Sequence, residues 1–145
     1  MTQPPYAEEV NYWKTSKSSP DAWMERARRQ IEKLGGMVLA EGFGSEPGLG
    51  RAAYMLAFEI EEERYKVVWP VLPSKTGNET AARRQAATLL YHDLKAKAIS
   101  AAVLGARAAF FSFLMLPDGR TAVNIATPEL AQLTPALLAR PVEER

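Results

Sequence analysis

A long alanine-rich segment constrains the fold of this 145-residue chain more than any other feature. From Glu79 to about Leu104 the residues are good helix formers, Asn78 can cap the start, and Gly105 can end the helix. Apolar residues recur along it at steps of four and three, forming one stripe: Ala82, Ala86, Leu90, Leu94, Ala98 and Ala101. Small side chains in this stripe favour close packing, so the segment predicts a long helix lying against a sheet or another helix.

Three strand patterns precede this helix. Met37–Phe43 is apolar and runs into a glycine-rich segment, Gly42 to Gly50, that we interpret as a loop. Ala52–Ile60 and Arg64–Leu72 both alternate, as half-buried strands do, and three glutamates between them (61–63) indicate a hairpin turn. The faces expected to be buried are Tyr54, Leu56, Phe58 and Ile60 on one strand, and Tyr65, Val67, Trp69 and Val71 on the other.

A second helix is predicted near the amino terminus. Ser19-Pro20-Asp21 is a typical helix start, and Gly35-Gly36 a typical end. Between them an apolar stripe recurs at helical spacing: Trp23, Ala27, Ile31 and Leu34.

The segment after the long helix is less regular. The apolar run Ala108–Leu116 fits either a buried strand or a helix extension, because periodicity does not separate the two in a short run. Pro117-Asp118-Gly119 predicts a turn, after which Thr121–Ala126 can pair back as a hairpin. Thr127-Pro128-Glu129 predicts the start of a short helix.

These elements together predict an α+β fold. Its antiparallel three-stranded meander is covered by a long helix, with an N-terminal helix and a C-terminal hairpin and short helices. The length favours one domain, which we place at residues 19–140, between an arm (1–18) and a tail (141–145). The arm carries Tyr6, Tyr12 and Trp13, so it either packs on the domain or a neighbouring subunit, or is partly disordered.

Composition narrows the chemistry. The chain has no cysteine and one histidine, which removes disulfides and thiolate metal sites. The start of the sequence does not match a signal peptide, and no apolar run approaches the roughly 18–20 residues that cross a bilayer. We therefore expect a cytoplasmic protein without a membrane partner.

No catalytic motif is recognisable. A phosphate-binding loop requires a glycine followed by lysine and Ser/Thr at the start of a helix. Neither the glycine-rich segment nor Ser74-Lys75-Thr76-Gly77 has this order. A metal-dependent nuclease is a less favoured alternative, and its available acids are Glu59 and the glutamates 61–63. Lys66 can face Glu59 across the hairpin, but the other three glutamates are expected at its tip. The expectation is a protein that is not an enzyme, has no catalytic residues and takes no metal or cofactor.

Positive charge is concentrated between residues 64 and 107. The whole chain has a net charge of +1, yet this stretch contains eight Lys/Arg and two acids. Any one of these cations is simply a solvated surface residue, but the whole set is typical of a polyanion-binding surface. The basic residues are Arg64, Lys66, Lys75, Arg83, Arg84, Lys95, Lys97 and Arg107, and aromatic residues Tyr65, Trp69 and Tyr91 are interleaved with them.

The order of strands followed by a basic, alanine-rich helix resembles the single-strand annealing proteins. These include ring-forming recombination mediators and phage Erf-type recombinases. The similarity covers roughly residues 36–107, and its local match is the pair of segments Ala81–Thr88 and Lys95–Ser100. It implies single-stranded DNA binding and strand annealing in recombination or repair, without nucleotide hydrolysis, by a homo-oligomeric ring or filament.

The predicted nucleic-acid-binding set is the eight basic residues with Tyr65 and Tyr91. We expect a strand and the long helix to form two walls of a groove, with the aromatic rings between them. The alternative is an oligomeric protein-interaction or assembly module of a phage or mobile element, suggested by the aromatic arm and by Ala108–Leu116.

Overall fold

A computed structural model of the protein describes residues 3–46 and 51–124. The predicted α+β class is confirmed: helices cover one face of a three-stranded antiparallel sheet. In chain order the elements are a 3₁₀ turn Ala7–Glu9, α1 Pro20–Lys33, β1 Met37–Glu46, β2 Arg51–Ile60, β3 Glu63–Pro70, α2 Glu79–Leu104, α3 Ala106–Phe110 and a 3₁₀ turn Phe111–Phe113.

The sheet has the order β1-β2-β3, and its register fixes two distinct faces. Phe58 pairs with Val38 on one side and with Tyr65 on the other, so these three side chains point toward the helices. The rings of Phe58 and Tyr65 lie 5.5 Å apart, and Phe110 from α3 closes on Phe58 at 5.3 Å. This inner face is the centre of the hydrophobic core. All eight side chains that were predicted to point inward from the two alternating strands are buried or partly buried there.

The glycine-rich prediction was partly wrong. Gly42 and Gly44 belong to β1, where they pair with Met55 and Ala53. Strand pairing supplies their backbone hydrogen bonds, and this outweighs the weak tendency of glycine to avoid strands. The turn between β2 and β3 was predicted correctly, and Glu61 and Glu62 adopt positive φ angles of 52° and 69° there.

Both helices begin at the predicted caps. The Ser19 hydroxyl accepts a hydrogen bond from the Ala22 amide at 3.1 Å, and the Asn78 side chain accepts one from the Ala81 amide at 3.1 Å. α2 ends at Gly105, whose φ is 96°. The predicted stripe on α2 is buried along its whole length: Ala82, Ala86, Leu90, Leu94, Ala98 and Ala101.

The run Ala108–Leu116 combines the two alternatives. Its first residues belong to α3 and to the 3₁₀ turn that follows, whereas Leu114 and Met115 are extended. Leu114 forms a bridge to Tyr65 at the edge of β3, and Met115 bridges Thr121. The predicted turn is present, with Gly119 at φ 88°. As far as Asn124, the returning segment pairs through this bridge and through two backbone hydrogen bonds, Leu116 to Arg120 at 2.8 Å and Ala122 to Leu114 at 2.9 Å. The helix predicted from Thr127 and the tail lie outside the described residues.

Residues 3–18 contact the domain through both backbone and side chains. Ala7 is fully buried, and its amide donates to the Pro73 carbonyl at 2.7 Å. The buried side-chain amide of Gln85 donates to the carbonyls of Ala7, Val10 and Asn11 at 2.8, 3.1 and 3.0 Å. Of the three interpretations of this segment, packing on the domain is the one that the described residues show.

The carboxylate of Glu8 fixes the same segment to the loop before α2. It accepts hydrogen bonds from the Ser74 hydroxyl at 2.6 Å and from the Lys75 amide at 2.9 Å. These bonds lower the pKa of Glu8 to about 2. The loop that leads into α2 is thus held by a residue more than sixty positions earlier in the chain.

Candidate nucleic-acid interface

Half of the basic stretch is neutralised by carboxylates. Glu9, Glu59 and Glu63 come from outside the 64–107 window, and Asp93 lies on the same helix as its partner. The ion pairs are Arg64 with Glu59 at 3.5 Å, Lys75 with Glu9 at 3.4 Å, Lys97 with Asp93 at 2.9 Å, and Arg107 with Glu63. The concentration of positive charge in the sequence is therefore much weaker in space.

The other four cations are Lys66, Arg83, Arg84 and Lys95, which make no ion pair with any residue that the structure describes. Lys66 pairs with Ala57 in the sheet and is on the same face as Arg64. Because neighbouring strand residues point to opposite faces, this outer face is turned away from α2. The predicted groove between a strand and the helix is thus not formed, since its two walls lie on opposite sides of the sheet.

Tyr65 is a core residue, and its predicted role in stacking on bases is excluded by burial. Its side chain is 0% exposed and lies between Phe58 and Phe110. The hydroxyl donates to Glu63 at 3.4 Å. Burial, assisted by the nearby Glu63 charge, raises the pKa of Tyr65 to about 12, so the hydroxyl stays protonated.

The outer sheet face is built from small and flexible side chains. Glu59, Arg64 and Lys66 give one end of it mixed charge. In the described strands it carries no aromatic ring that a base can stack on. Its remaining positions are Met37, Ala40, Gly42, Gly44, Ala53, Met55, Ala57, Val68 and Pro70.

A cluster of aromatic and basic side chains lies on the opposite side, where α1 packs on α2. The Trp23 ring is 5.2 Å from Tyr91 and 5.7 Å from His92. Tyr12 stacks on His92 at 4.6 Å, with the rings 7° from parallel. We name this cluster the helix-layer patch, and its residues are Tyr12, Trp23, Arg26, Tyr91, His92 and Lys95.

Two cations accompany these rings. The guanidinium of Arg26 lies 4.4 Å from the centre of the Trp23 ring, a cation–π distance. Lys95 is exposed and lies one turn beyond Tyr91 on α2. Neither forms an ion pair with a side chain that the structure describes.

His92 is held as a neutral ring within this patch. Partial burial is the main cause of its lowered pKa, and the Lys95 charge lowers the pKa further. A neutral imidazole stacks on Tyr12 as an aromatic ring and does not add a charge at neutral pH.

The placement of the predicted residues is mixed. Tyr91 and Lys95 belong to the helix-layer patch, Arg83 lies 4.0 Å over the Phe43 ring, and Arg84 is half-buried. Tyr12, Trp23 and Arg26 were missed as site residues. A signal for Trp23 and Arg26 existed: they are one helical turn apart on α1 and can therefore stack.

The pairing of Glu59 with Lys66 that a nuclease site was expected to use is not formed. Glu59 faces Arg64 across the hairpin, whereas Lys66 faces Ala57. Glu61 and Glu62 lie at the exposed tip of the turn. In the part of the chain that the structure describes, no three His, Asp or Glu side chains converge in a way that would hold a metal ion.

Comparisons of this chain with protein-family models, with curated proteins and with solved structures find no match. Across the described ranges, no helix combines the length and the apolar character that crossing a membrane requires.

Proposed function

We propose that the protein binds single-stranded DNA through the helix-layer patch and promotes strand annealing without nucleotide hydrolysis. The observation that carries the proposal is the stack of Tyr12, His92, Trp23 and Tyr91 with Arg26 lying over one of its rings. Stacked rings and cations on one surface match the two recurring parts of a single strand, its unstacked bases and its phosphates.

The surface suits binding without sequence reading. Its rings are half-buried, so each is fixed by packing while part of it remains accessible. Trp23 is further oriented by its indole nitrogen, which donates to the Ser16 hydroxyl at 2.7 Å. Every base has a face that can stack, so aromatic contacts of this kind tolerate any sequence, and binding weakens as salt rises.

Annealing and assembly into a homo-oligomeric ring or filament are the finer part of the proposal. They rest on the resemblance to single-strand annealing proteins, which was based on three strands followed by a basic helix. An oligomer aligns copies of a small patch, so a subunit with little net charge can hold a long strand through many weak contacts.

The proposal is tested by charge removal on the two sides of the sheet. In the double variant Arg26→Ala with Lys95→Ala, the affinity for a labelled oligothymidylate falls in a low-salt anisotropy titration. The slope of log K against log salt falls by about one per lost phosphate contact, hence by about two. The matched control, Arg64→Ala with Lys66→Ala, removes the same charge from the outer sheet face and leaves both quantities near those of the wild type.

A conservative substitution separates stacking from folding. Trp23→Leu keeps an apolar side chain in the α1–α2 contact but removes the stacking ring, and loses about 1–3 kcal/mol of binding free energy if one base stacks there. Circular dichroism melting checks that each variant remains folded. Equal affinities for the two double variants would refute binding by the helix-layer patch.

A second candidate function is that of a protein-assembly module, the alternative expected from the sequence. The observation in its favour is the outer sheet face, which no described element covers. At the edge formed by β1, Met37, Leu39 and Phe43 are 57%, 41% and 40% exposed. If this face makes subunit contacts, Met55→Lys lowers the particle mass measured by light scattering, whereas Lys95→Glu does not.

A further inference from the structure

A cavity of about 530 Å³ lies between the sheet and the amino end of α2. One wall comes from β1 and β2, including Phe43 and Arg51, and another from the first turns of α2, including Arg83. The loop between β3 and α2 closes it with Leu72 and Pro73. The volume lies within the range of roughly 300–1,000 Å³ that small-molecule sites occupy.

Two arginines give this cavity its charge. The Arg83 guanidinium is positioned 4.0 Å over the Phe43 ring. Arg51 has its Nε atom shielded from solvent, and this atom makes no hydrogen bond to any described residue. Neither arginine forms an ion pair with a side chain that the structure describes, a set that leaves out Glu46, which pairs with Arg51 in the sheet, and Glu79 also lines the cavity. A buried donor without a partner is costly, so an anion that accepts from Arg51 stabilises the site.

The chemistry of two guanidinium groups favours a phosphate. Each guanidinium presents a planar fork of donors that matches phosphate oxygens, and the amino end of α2 adds positive potential nearby. The single carboxylate of Glu79 leaves the described lining with a net positive charge. A ligand with one or two negative charges is therefore accommodated without an added cation.

The remaining walls are apolar, so phosphate alone does not fill the site. Ala52, Leu72, Pro73 and Ala82 present hydrocarbon to the cavity. Ser74 also lines it, but its hydroxyl already donates to Glu8 at 2.6 Å. A flat, largely apolar group beside the phosphate fits these walls, with little hydrogen-bond readout of its identity.

We propose that this cavity binds one nucleoside monophosphate unit, its phosphate on Arg51 and Arg83 and its base against the Leu72–Pro73 wall. The unit is either a free nucleotide or the terminal residue of a strand. Binding of a terminal residue rests on the proposed function, because that residue then belongs to the strand held by the helix-layer patch. Arg83 was predicted as a nucleic-acid contact, whereas Arg51 has no motif in the sequence that singles it out.

Titration calorimetry with dTMP and with inorganic phosphate tests the inference at low salt. Wild-type protein binds dTMP, and Arg51→Gln and Arg83→Gln each weaken binding about tenfold or more, as loss of a charge-assisted hydrogen bond implies. Arg64→Gln is the matched control and binds dTMP like the wild type. Failure of the wild type to bind dTMP at millimolar concentration, or unchanged binding by both variants, overturns the inference.

A cavity-filling variant keeps the charges and removes the space. Leu72→Trp loses dTMP binding but retains binding of inorganic phosphate, and melting curves confirm that it is folded. If Leu72→Trp binds dTMP normally, or if phosphate binds the wild type as tightly as dTMP does, the apolar walls contribute nothing and the inference is wrong.

Oligonucleotides separate this inference from the proposed function. A 5′-phosphorylated strand that binds more tightly than its 5′-hydroxyl counterpart, with the difference lost in Arg83→Gln, supports terminal binding. Free dTMP bound by a protein that binds no oligonucleotide supports the cavity and refutes the proposed function. Oligonucleotide binding without any dTMP binding refutes the cavity and leaves the proposed function in place.

Discussion

The two faces of the sheet are built from adjacent residues and have almost nothing else in common. Tyr65 points inward and is completely buried, whereas its neighbour Lys66 points outward and is partly exposed. The inner face is packed against α1, α2 and α3, while the outer face is covered by none of the described elements. Charge that is continuous in sequence is therefore divided between two sides of the molecule, and one bound strand contacts only one of them.

The largest expected difference between the faces is in stability. Tyr65→Ala opens a cavity between Phe58 and Phe110 and costs about 3–5 kcal/mol of unfolding free energy. Lys66→Ala, one residue later on the other face, stays within about 0.5 kcal/mol of the wild type. Urea denaturation of both variants measures the difference, and similar midpoints would mean that the assignment of faces is wrong.

A smaller effect is expected where the covered side holds the N-terminal segment. Gln85→Ala removes the donor shared by Ala7, Val10 and Asn11, leaving buried carbonyls without it, at a cost of about 1–3 kcal/mol. Gln30→Ala on α1 is the matched control and has little effect, since no hydrogen bond of its side chain is lost among the described residues. Limited proteolysis then detects earlier cleavage near residues 7–11 in Gln85→Ala alone. Equal stability of the two variants would show that Gln85 does not fix this segment.

The smallest effect is expected from the Glu8 carboxylate, which is near the surface. Its pKa is about 2 in the folded protein and near the ordinary value of 4.5 when unfolded. Its contribution to stability is therefore present above pH 4.5 and is lost as pH falls toward 2.

Between pH 5 and pH 2 the melting temperature of Glu8→Gln accordingly falls by less than that of the wild type. At pH 7 the variant is slightly less stable than the wild type. Glu25→Gln is a suitable control, because its carboxylate is on the exposed side of α1 with Arg29 as its partner. A pH profile for Glu8→Gln that parallels the wild type across this range would contradict the role assigned to Glu8.

The architecture was predictable because local signals and burial agree. The caps at Ser19 and Asn78, the alanine stripe of α2 and the alternation of β2 each act over a few residues. The glycines of β1 were misassigned because strand pairing, a tertiary interaction, determines their conformation. The packing of the segment before α1 was left open because it depends on a distant residue in α2, Gln85, which holds the segment in place.

The candidate site was far less predictable, for a reason that lies in its contacts. A window count of charge treats Arg107 and Lys75 as free, but Glu63 and Glu9 lie outside the window and reach them only in the folded chain. In the helix-layer patch the error was the reverse, because residues that do belong to the candidate site were not predicted to be in it. Trp23 looked like a core residue and Tyr12 like part of an arm, and only packing of α1 on α2 brings them together around His92.

The bridge between Leu114 and Tyr65 bears on the symmetry of any assembly formed through sheet edges. β1 is one edge, and pairing of β1 with β1 of a second copy is isologous and ends at a dimer. A ring or filament needs the heterologous contact of β1 with β3, but Leu114 and Met115 occupy the start of the β3 edge. Pro70 has no amide to donate at its far end. Edge pairing without displacement of Leu114 therefore favours a two-fold dimer over a closed ring.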